Sequence, residues 1–509
     1  MVEVTRRQTL GLGLGAGLSI TMFGGAAGAQ TAPGRATFSL VLVNDIDRMS
    51  DDKGRGGFGK LAAVVKQERA RGVPMLFCHA GDTLSPSLMA GFDQGAHIIE
   101  LLNAIKPDVF VPGNHEFDFG KDVFLKRMSE AQFPLLAANL RQADGSPLPG
   151  FKDTQIVNLG PLKVGIVGLT LTASPSLSQP GDLRFAPEME TLRAQATALR
   201  REGADIVLAV THTARETDTE IVRSRLVDVL LTGHDHDLII NYDGRTVMAE
   251  SNEQGNFVTA IDFTATIAGE GAARRVTWTP SFRVHDSSAI EPDHEVQAII
   301  KRHEAALSKE LDVEIGSTAT PLDSRGATVR SGEAAIGNLI ADAIRESAGG
   351  EVAITNGGGI RANREYPAGA RLTRRDILSE LPFGNTTSLV EVTGADIKAA
   401  LESGVSQIEQ RAGRFPQVSG LRFEVDSKAA AGSRVSNVQV NGAPLDPARK
   451  YRVATNNFMV AGGDGYTAFT RGRVLLGVVD GKLMANEVMA YVRRKGTVDP
   501  KVEGRIVVR

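Results

Sequence analysis

An α/β fold on a buried sheet is predicted by three observations: short β-branched apolar runs, helical segments alternating with them, and metal-seeking side chains at the carboxyl ends of the runs. The run 38–43 leads into Asn44-Asp45, the run 74–78 into Gly81-Asp82, and the run 108–112 into Gly113-Asn114-His115-Glu116-Phe117-Asp118. The run 205–210 ends at Thr211-His212, and 227–231 at Gly233-His234-Asp235-His236. Ligands of such sheets gather beyond the carboxyl ends of the strands. Five strand ends therefore deliver Asp45, Asp82, Asn114, His212, His234 and His236 to one place, although most are remote from one another in sequence.

Residues 1–29 stand outside this fold. Thr5-Arg6-Arg7-Gln8-Thr9-Leu10, a Gly-rich apolar segment 11–23 and Ala27-Gly28-Ala29 fit a twin-arginine export signal cleaved after Ala29. The reading predicts passage through the twin-arginine export machinery to the periplasm or the exterior. No stable membrane anchor is expected, because glycines interrupt this stretch and no later segment approaches the roughly 20 apolar residues a span needs. The only cysteine, Cys78, falls in a predicted buried strand, which excludes an internal disulfide and assigns it to packing.

After a Pro/Gly linker to about Arg35, helices are expected at 59–71, 95–106, 121–130, 189–202 and 216–225, then strands at 246–250, 256–266 and 275–285. The charged, periodic stretch 293–311 reads as one helix with Val296, Ile299, Ile300, His303 and Leu307 on its inner face, a connector between two halves. Helices follow at 334–346, 374–379, 395–405 and 480–494, separated by Gly- and Asn-rich loops. All nine histidines lie between His79 and His303, so the predicted division is a catalytic domain 36–290, a linker helix 291–311 and a second domain 312–509. With 23% charged residues, a net charge of -3 and no basic block, the chain carries no nucleic-acid footprint. Small anionic ligands can still be served by local arginines.

The strand-end residues outline a two-metal phosphoesterase site. A central carboxylate such as Asp82 can bridge two divalent cations about 3.5 to 4 Å apart, which clamp the attacking and leaving oxygens of an in-line displacement. Asn114 offers a carbonyl oxygen, and His212, His234 and His236 offer imidazoles. Of Mn, Zn, Co, Fe and Mg, the mixed donor set suits Mn, Fe, Co or Zn better than Mg. His115 stands beside a proposed ligand and is expected to reach the scissile phosphate, with Asp118 orienting it, to stabilise developing charge or protonate the leaving oxygen. His79, His97, His285, His294 and His303 are read as packing or surface residues, and Asp235 and Glu116 as solvated or supporting ones.

These strings, with Ile336-Gly337-Asn338-Leu339-Ile340-Ala341-Asp342, Asn356-Gly357-Gly358-Gly359-Ile360-Arg361, Pro382-Phe383-Gly384-Asn385 and the stretch from Asn457-Phe458 through Gly462-Gly463-Asp464-Gly465-Tyr466, make the chain resemble a bacterial 5'-nucleotidase. The resemblance implies a four-layer α/β/β/α metallophosphoesterase domain followed by an α+β substrate-binding domain. It implies metals on Asp45, Asp82, Asn114, His212, His234 and His236. It further implies a nucleotide site in which Phe383 and Phe458 sandwich the base, Asp464 binds the ribose hydroxyls, Asn385 a base edge, and Arg330, Arg361 and Arg325 meet phosphate. Stacking on aromatic faces is tolerant of base identity, and arginine matches phosphate oxygens bidentately. The competing reading of either phenylalanine is ordinary core packing.

One position departs from the family, whose first motif reads Asp-x-His where this chain has Asp45-Ile46-Asp47. Positions two apart on a strand share a face, so Asp47 is expected to point at the first metal, either as a carboxylate ligand or through water. The expected function is release of phosphate from nucleoside 5'-monophosphates, with nucleotide diphosphates or UDP-sugars as further substrates. The alternatives are hydrolysis of cyclic nucleotides or other phosphodiesters, and a periplasmic nucleotide-binding protein whose first metal site has decayed.

Overall fold

The computed structural model describes residues 34–509. The proposed export signal lies outside the described residues. The strand Gly34–Val43 is buried from Phe38 onward and pairs in parallel with Met75–His79, which pairs with Val109–Phe110. On its other side it runs antiparallel to Phe257–Ala268, itself paired with Arg275–Asp286. This seven-stranded sheet faces a six-stranded one that includes Leu162–Leu169, Ile206–Thr211, Val229–Leu231 and Val247–Ser251.

Side-chain alternation along the strands sorts the core into layers. Phe38, Leu40 and Leu42 point between the sheets and meet Ile166, Leu208 and Val229. Val41 and Val43 point the other way, onto Leu61 and Val65 of the helix Phe58–Arg69 and Ile98 and Leu102 of Ala96–Ile105. The outer face of the second sheet, with Val167, Val207 and Leu230, is covered by Leu192 and Leu199 of Glu188–Arg201 and Ile221 of Arg215–Ser224. The first half is therefore four layers, helix, sheet, sheet, helix. Truncating a fully buried side chain in the middle, such as Leu208→Ala, costs about 2 to 5 kcal/mol.

The helix His294–Glu310 begins where the Asp293 carboxylate accepts from the backbone N–H groups of Glu295 (3.0 Å) and Val296 (3.1 Å). Val296 and Ile300 are buried in the same cluster as the helix Phe58–Arg69, and His303 bonds Glu100 at 2.9 Å. The expected connector thus lies packed along the first half.

The second half holds a five-stranded mixed sheet in the order Pro416–Ser419, Val352–Asn356, Lys450–Asn456, Thr387–Thr393, Arg473–Leu476. Ala335–Ala348 and Met484–Lys495 cover one face through Leu339, Ile340 and Val488, and Gly394–Val405 covers the other through Ile397 and Leu401. The helix expected at 480–494 begins only at Met484. The residues before it pair with the sheet edge instead: Thr387 N–H donates to the Lys482 carbonyl at 2.8 Å and Met484 N–H to the Asn385 carbonyl at 3.0 Å. A Cβ at Gly481 would fall 2.5 Å from the Thr387 carbonyl oxygen, so only glycine admits this approach.

Candidate active site

The ligand-bearing loops leave their strands through non-glycine residues in the left-handed region: Asp45 (φ 52°), Asp82 (φ 53°), His234 (φ 101°) and His236 (φ 62°). Each such residue costs of order 1 to 3 kcal/mol and persists only where its surroundings hold it. At Asp82 the holding group is Glu116. Its buried carboxylate accepts from the N–H groups of Asp82 (3.0 Å), Thr83 (2.7 Å), Leu84 (3.2 Å) and Gly113, tying two loops together. Burial above all, and then the charge of Asp82, pushes its pKa up to about 7. Glu116 is a buried brace and not a solvated residue, because four N–H groups converge where its sequence position shows only a polar neighbour of His115.

Asp82 Oδ2 and His212 Nε2 lie 3.0 Å apart. His212 Nδ1 donates to the Ala80 carbonyl at 2.8 Å, so in the neutral ring Nε2 turns a lone pair toward a carboxylate oxygen. Two acceptors at this distance need a proton or a cation between them. Burial disfavours the charged ring, but Asp82 and Asp45 outweigh it and raise the His212 pKa to about 10. At Asp45, burial works to raise the pKa, and His236, 3.4 Å away, overcomes it and holds the carboxyl well below its usual value.

The donor chemistry fits divalent cations. Asp45 Oδ1, Asp82 Oδ2, Asn114 Oδ1, His212 Nε2 and His234 Nδ1 are buried atoms without a hydrogen-bond partner, which buried polar groups rarely tolerate. The ligating atoms of Asp82, His212 and His234 all lie within 4.8 Å of one another. Asp47 differs. The strand Gly34–Val43 ends before Asp45, so the shared-face argument does not apply, and the Asp47 carboxylate accepts from Gln254 Nε2 while its own N–H donates to Gln254 Oε1 at 3.2 Å. Asp47 still lines the same cleft as Asp45, Asp82 and His236, and burial raises its pKa.

His115 Nδ1 meets Asp118 Oδ2 at 2.8 Å, and Ser178 donates to Asp118 Oδ1 at 2.7 Å, which leaves His115 Nε2 as the outward-facing nitrogen. Burial opposes charge on this ring, but Asp118 and Asp82 outweigh it and hold the pKa well above the usual histidine value. The second half closes over this pair: His115 Nε2 donates to the Val479 carbonyl, Asn114 Nδ2 donates to Asp480 Oδ1 at 3.2 Å, and Lys482 Nζ lies 3.6 Å from Asp118 Oδ1. Sequence reasoning missed Asp480 and Lys482, since nothing local ties them to residues far upstream.

Neither candidate base-stacking ring is a core residue. Phe383 is 58% exposed and Phe458 44%. Phe383 lines a cleft of about 640 Å³ shared with Asp45, Asp82, His115, His236 and Asn457, and Asn385 lines the adjoining apolar hollow with it. The Arg361 guanidinium sits 5.2 Å from the Phe383 ring centroid. Phe458 lies against Gly463, where a Cβ would come within 2.5 Å of the ring, and Asp464 accepts from Asn356 Nδ2 at 2.7 Å. Arg330 Nε is buried without a hydrogen-bond partner. Arg325 is instead engaged with Asp323 (2.6 Å) and Glu365 (2.5 Å).

Comparison with known proteins places both halves of the chain in known families. Residues 38–238 match the calcineurin-like phosphoesterase family and residues 314–471 the 5'-nucleotidase C-terminal domain. The chain belongs to the 5'-nucleotidase family. As a member it is a metallophosphoesterase, a phosphoric ester hydrolase of a family that uses divalent metals. The snake venom 5'-nucleotidase of Crotalus adamanteus is 28% identical over 94% of this chain and 90% of its own length. The 5'-nucleotidase of Homo sapiens is 28% identical over 94% and 93%. The trifunctional nucleotide phosphoesterase protein YfkN of Bacillus subtilis is 30% identical over 92% of this 5'-nucleotidase-family chain, which spans only 34% of that longer relative. Among solved structures, Haemophilus influenzae NAD nucleotidase shares the fold, with a TM-score of 0.78 at 20% identity over 93% of this chain and 99% of that one. A 5'-nucleotidase precursor from Thermus thermophilus gives 0.53 at 28% identity over the same shares.

Proposed function

We propose that this 5'-nucleotidase-family enzyme releases phosphate from nucleoside 5'-monophosphates, with nucleotide diphosphates and UDP-sugars as further substrates. The observation that carries the reading is the single cleft in which Phe383 stands with Asp45, Asp82, His115 and His236, so that a ring able to stack on a base and residues able to hold metals face one volume. Two divalent cations held by Asp45, Asp82, Asn114, His212, His234 and His236 would supply an activated water and charge neutralisation at phosphorus. His212 is oriented for this by Ala80, and the Asp82 loop by Glu116. Asp118 holds His115 with Nε2 outward and protonated, placing a donor for a phosphoryl or leaving oxygen. Asp47, steadied by Gln254, lines the cleft beside Asp45 and would face an ion held there.

On the nucleotide side, Phe383 and Phe458 would stack on the base, Asn385 meet its edge, Asp464 take the ribose hydroxyls, and Arg330 and Arg361 the phosphates. Arg325, committed to two carboxylates, is the weakest of the three arginines. The division into 36–290, a linker helix 291–311 and 312–509 belongs to this proposal, as does twin-arginine export after cleavage at Ala29 into the periplasm or medium. Among the described residues no helix is long and apolar enough to cross a membrane. The reading is tested by kcat/KM on AMP, ADP, UDP-glucose, a cyclic nucleotide and p-nitrophenyl phosphate. It predicts AMP first; preference for the cyclic nucleotide would replace it with a phosphodiesterase.

A further inference from the structure

Behind the histidine loops, one guanidinium gathers four carboxylates. Arg215, at the start of the helix Arg215–Ser224, donates from Nη1 to Asp218 Oδ2 at 3.2 Å and from Nη2 to Glu250 Oε2. The same Nη2 lies 3.2 Å from Asp237 Oδ2 and 3.6 Å from Asp235 Oδ2. Asp218 and Glu250 are fully buried. Asp218 Oδ1 in turn accepts from Thr213 Oγ1 at 2.6 Å and Thr232 Oγ1 at 3.0 Å. Thr213 follows His212, Thr232 stands two residues before His234, and Asp235 and Asp237 flank His236. The two loops that carry His212, His234 and His236 are thus fastened to the Arg215–Asp218 pair.

His234 Nδ1 has no hydrogen-bond partner, so its place depends on the backbone of its loop and on the His212 ring, whose centroid lies 5.1 Å away. His234 holds φ at 101° and His236 at 62°, conformations that need outside support. The His234 N–H donates to Asp45 Oδ2 at 3.0 Å and the His236 carbonyl accepts from Asn252 Nδ2 at 2.8 Å; Thr232, through Asp218, and the two aspartates, through Arg215, add a second hold on the same loop. Arginine suits the task because its planar fork meets several carboxylates at fixed angles, which a lysine ammonium cannot do.

We propose that Arg215 is a positioning residue of the metal centre: with Asp218 it fixes the two loops bearing His212, His234 and His236, and so sets the affinity with which those histidines hold a divalent cation. The inference rests on the metal reading of the site. Supporting groups of this kind change metal affinity by about tenfold to a hundredfold when altered.

The test titrates the metal-stripped full chain with Zn(II) alone, in competition with a fluorescent chelator, for the wild type, Arg215→Lys and Thr232→Val. Both variants keep the volume of the cluster, whereas Arg215→Ala would strand buried carboxylates and endanger folding. The expected result is an affinity for Zn(II) weakened about tenfold to a hundredfold in Arg215→Lys and weakened in the same direction in Thr232→Val, with the melting temperature of the metal-free Thr232→Val protein close to wild type. Wild-type affinity in both variants overturns the inference. A lowered melting temperature with unchanged Zn(II) affinity also overturns it, assigning Arg215 to the fold alone. A wild type that binds no Zn(II) overturns the metal reading itself, and the inference with it.

Discussion

His115 Nε2 donates to the main-chain carbonyl oxygen of Val479 across 2.6 Å, although the two residues are 364 positions apart. The bond occupies the nitrogen that the proposed chemistry needs for phosphate. Asp480 reinforces it from the next position by accepting from Asn114, and burial, partly offset by His115 and supported by Asp82, raises the Asp480 pKa to about 6. A phosphate entering the site must displace this loop. Asp480→Ala is therefore expected to lower KM for p-nitrophenyl phosphate by about tenfold to a hundredfold, since a hydrogen bond to a charged group contributes about 1.5 to 3 kcal/mol. An unchanged KM would show that the loop does not compete with substrate.

Asp118 and Asp82 raise the pKa of His115 against the effect of burial, so the ring keeps its proton to higher pH than an ordinary histidine. Replacing the carboxylate with an amide removes that support. Asp118→Asn should move the alkaline limb of the kcat/KM profile to lower pH, where His115 now loses its proton. A limb that stays in place assigns it to another group.

Glu116 offers a second pH handle, on stability. Its native pKa of about 7 lies above the ordinary 4.5, so the unfolded chain gives up this proton first, stability falls as pH rises from about 4.5 to about 7, and it stays at the lower level above that. Glu116→Gln removes that dependence but turns an amide NH₂ toward two of the N–H groups now accepted. Each N–H left without an acceptor costs about 1 to 3 kcal/mol, and urea denaturation at neutral pH should show a loss of that order. Equal stability would mean that the loops hold without the brace.

The base clamp is separable from the metals. If Phe458 stacks on the base, Phe458→Ala loses roughly 1 to 3 kcal/mol, about a tenfold to hundredfold fall in kcat/KM on AMP, while p-nitrophenyl phosphate is hydrolysed nearly as before. Equal losses on both substrates would assign the ring to the fold or to closure of the two halves.

The four layers were legible because strands buried on both faces read as continuous apolar runs, and strand ends such as Gly81-Asp82 and Gly233-His234 announce themselves by what precedes them. Supporting residues carry no such mark. Arg215 and Asp218 look like the polar first turn of a surface helix, and Asp480 to Leu483 read as the start of the helix 484–495, although Asp480-Gly481 is a turn-marking pair. Their roles come from contacts with Asp235, Asn114 and Thr387, which only the folded chain supplies. Asp47 shows the same limit: its partner Gln254 is 207 residues away, and the strand that would have fixed its direction ends too soon.

Metal dependence is tested most directly by one measurement: phosphate released from AMP by the metal-stripped enzyme, before and after reloading with Mn, Zn, Co, Fe or Mg one at a time, beside Asp82→Ala treated in the same way. The stripped wild type should be inactive and recover with at least one ion, while Asp82→Ala, folded but lacking a carboxylate that would hold the metal, recovers with none. Full phosphatase activity in protein that elemental analysis finds free of metal would contradict it.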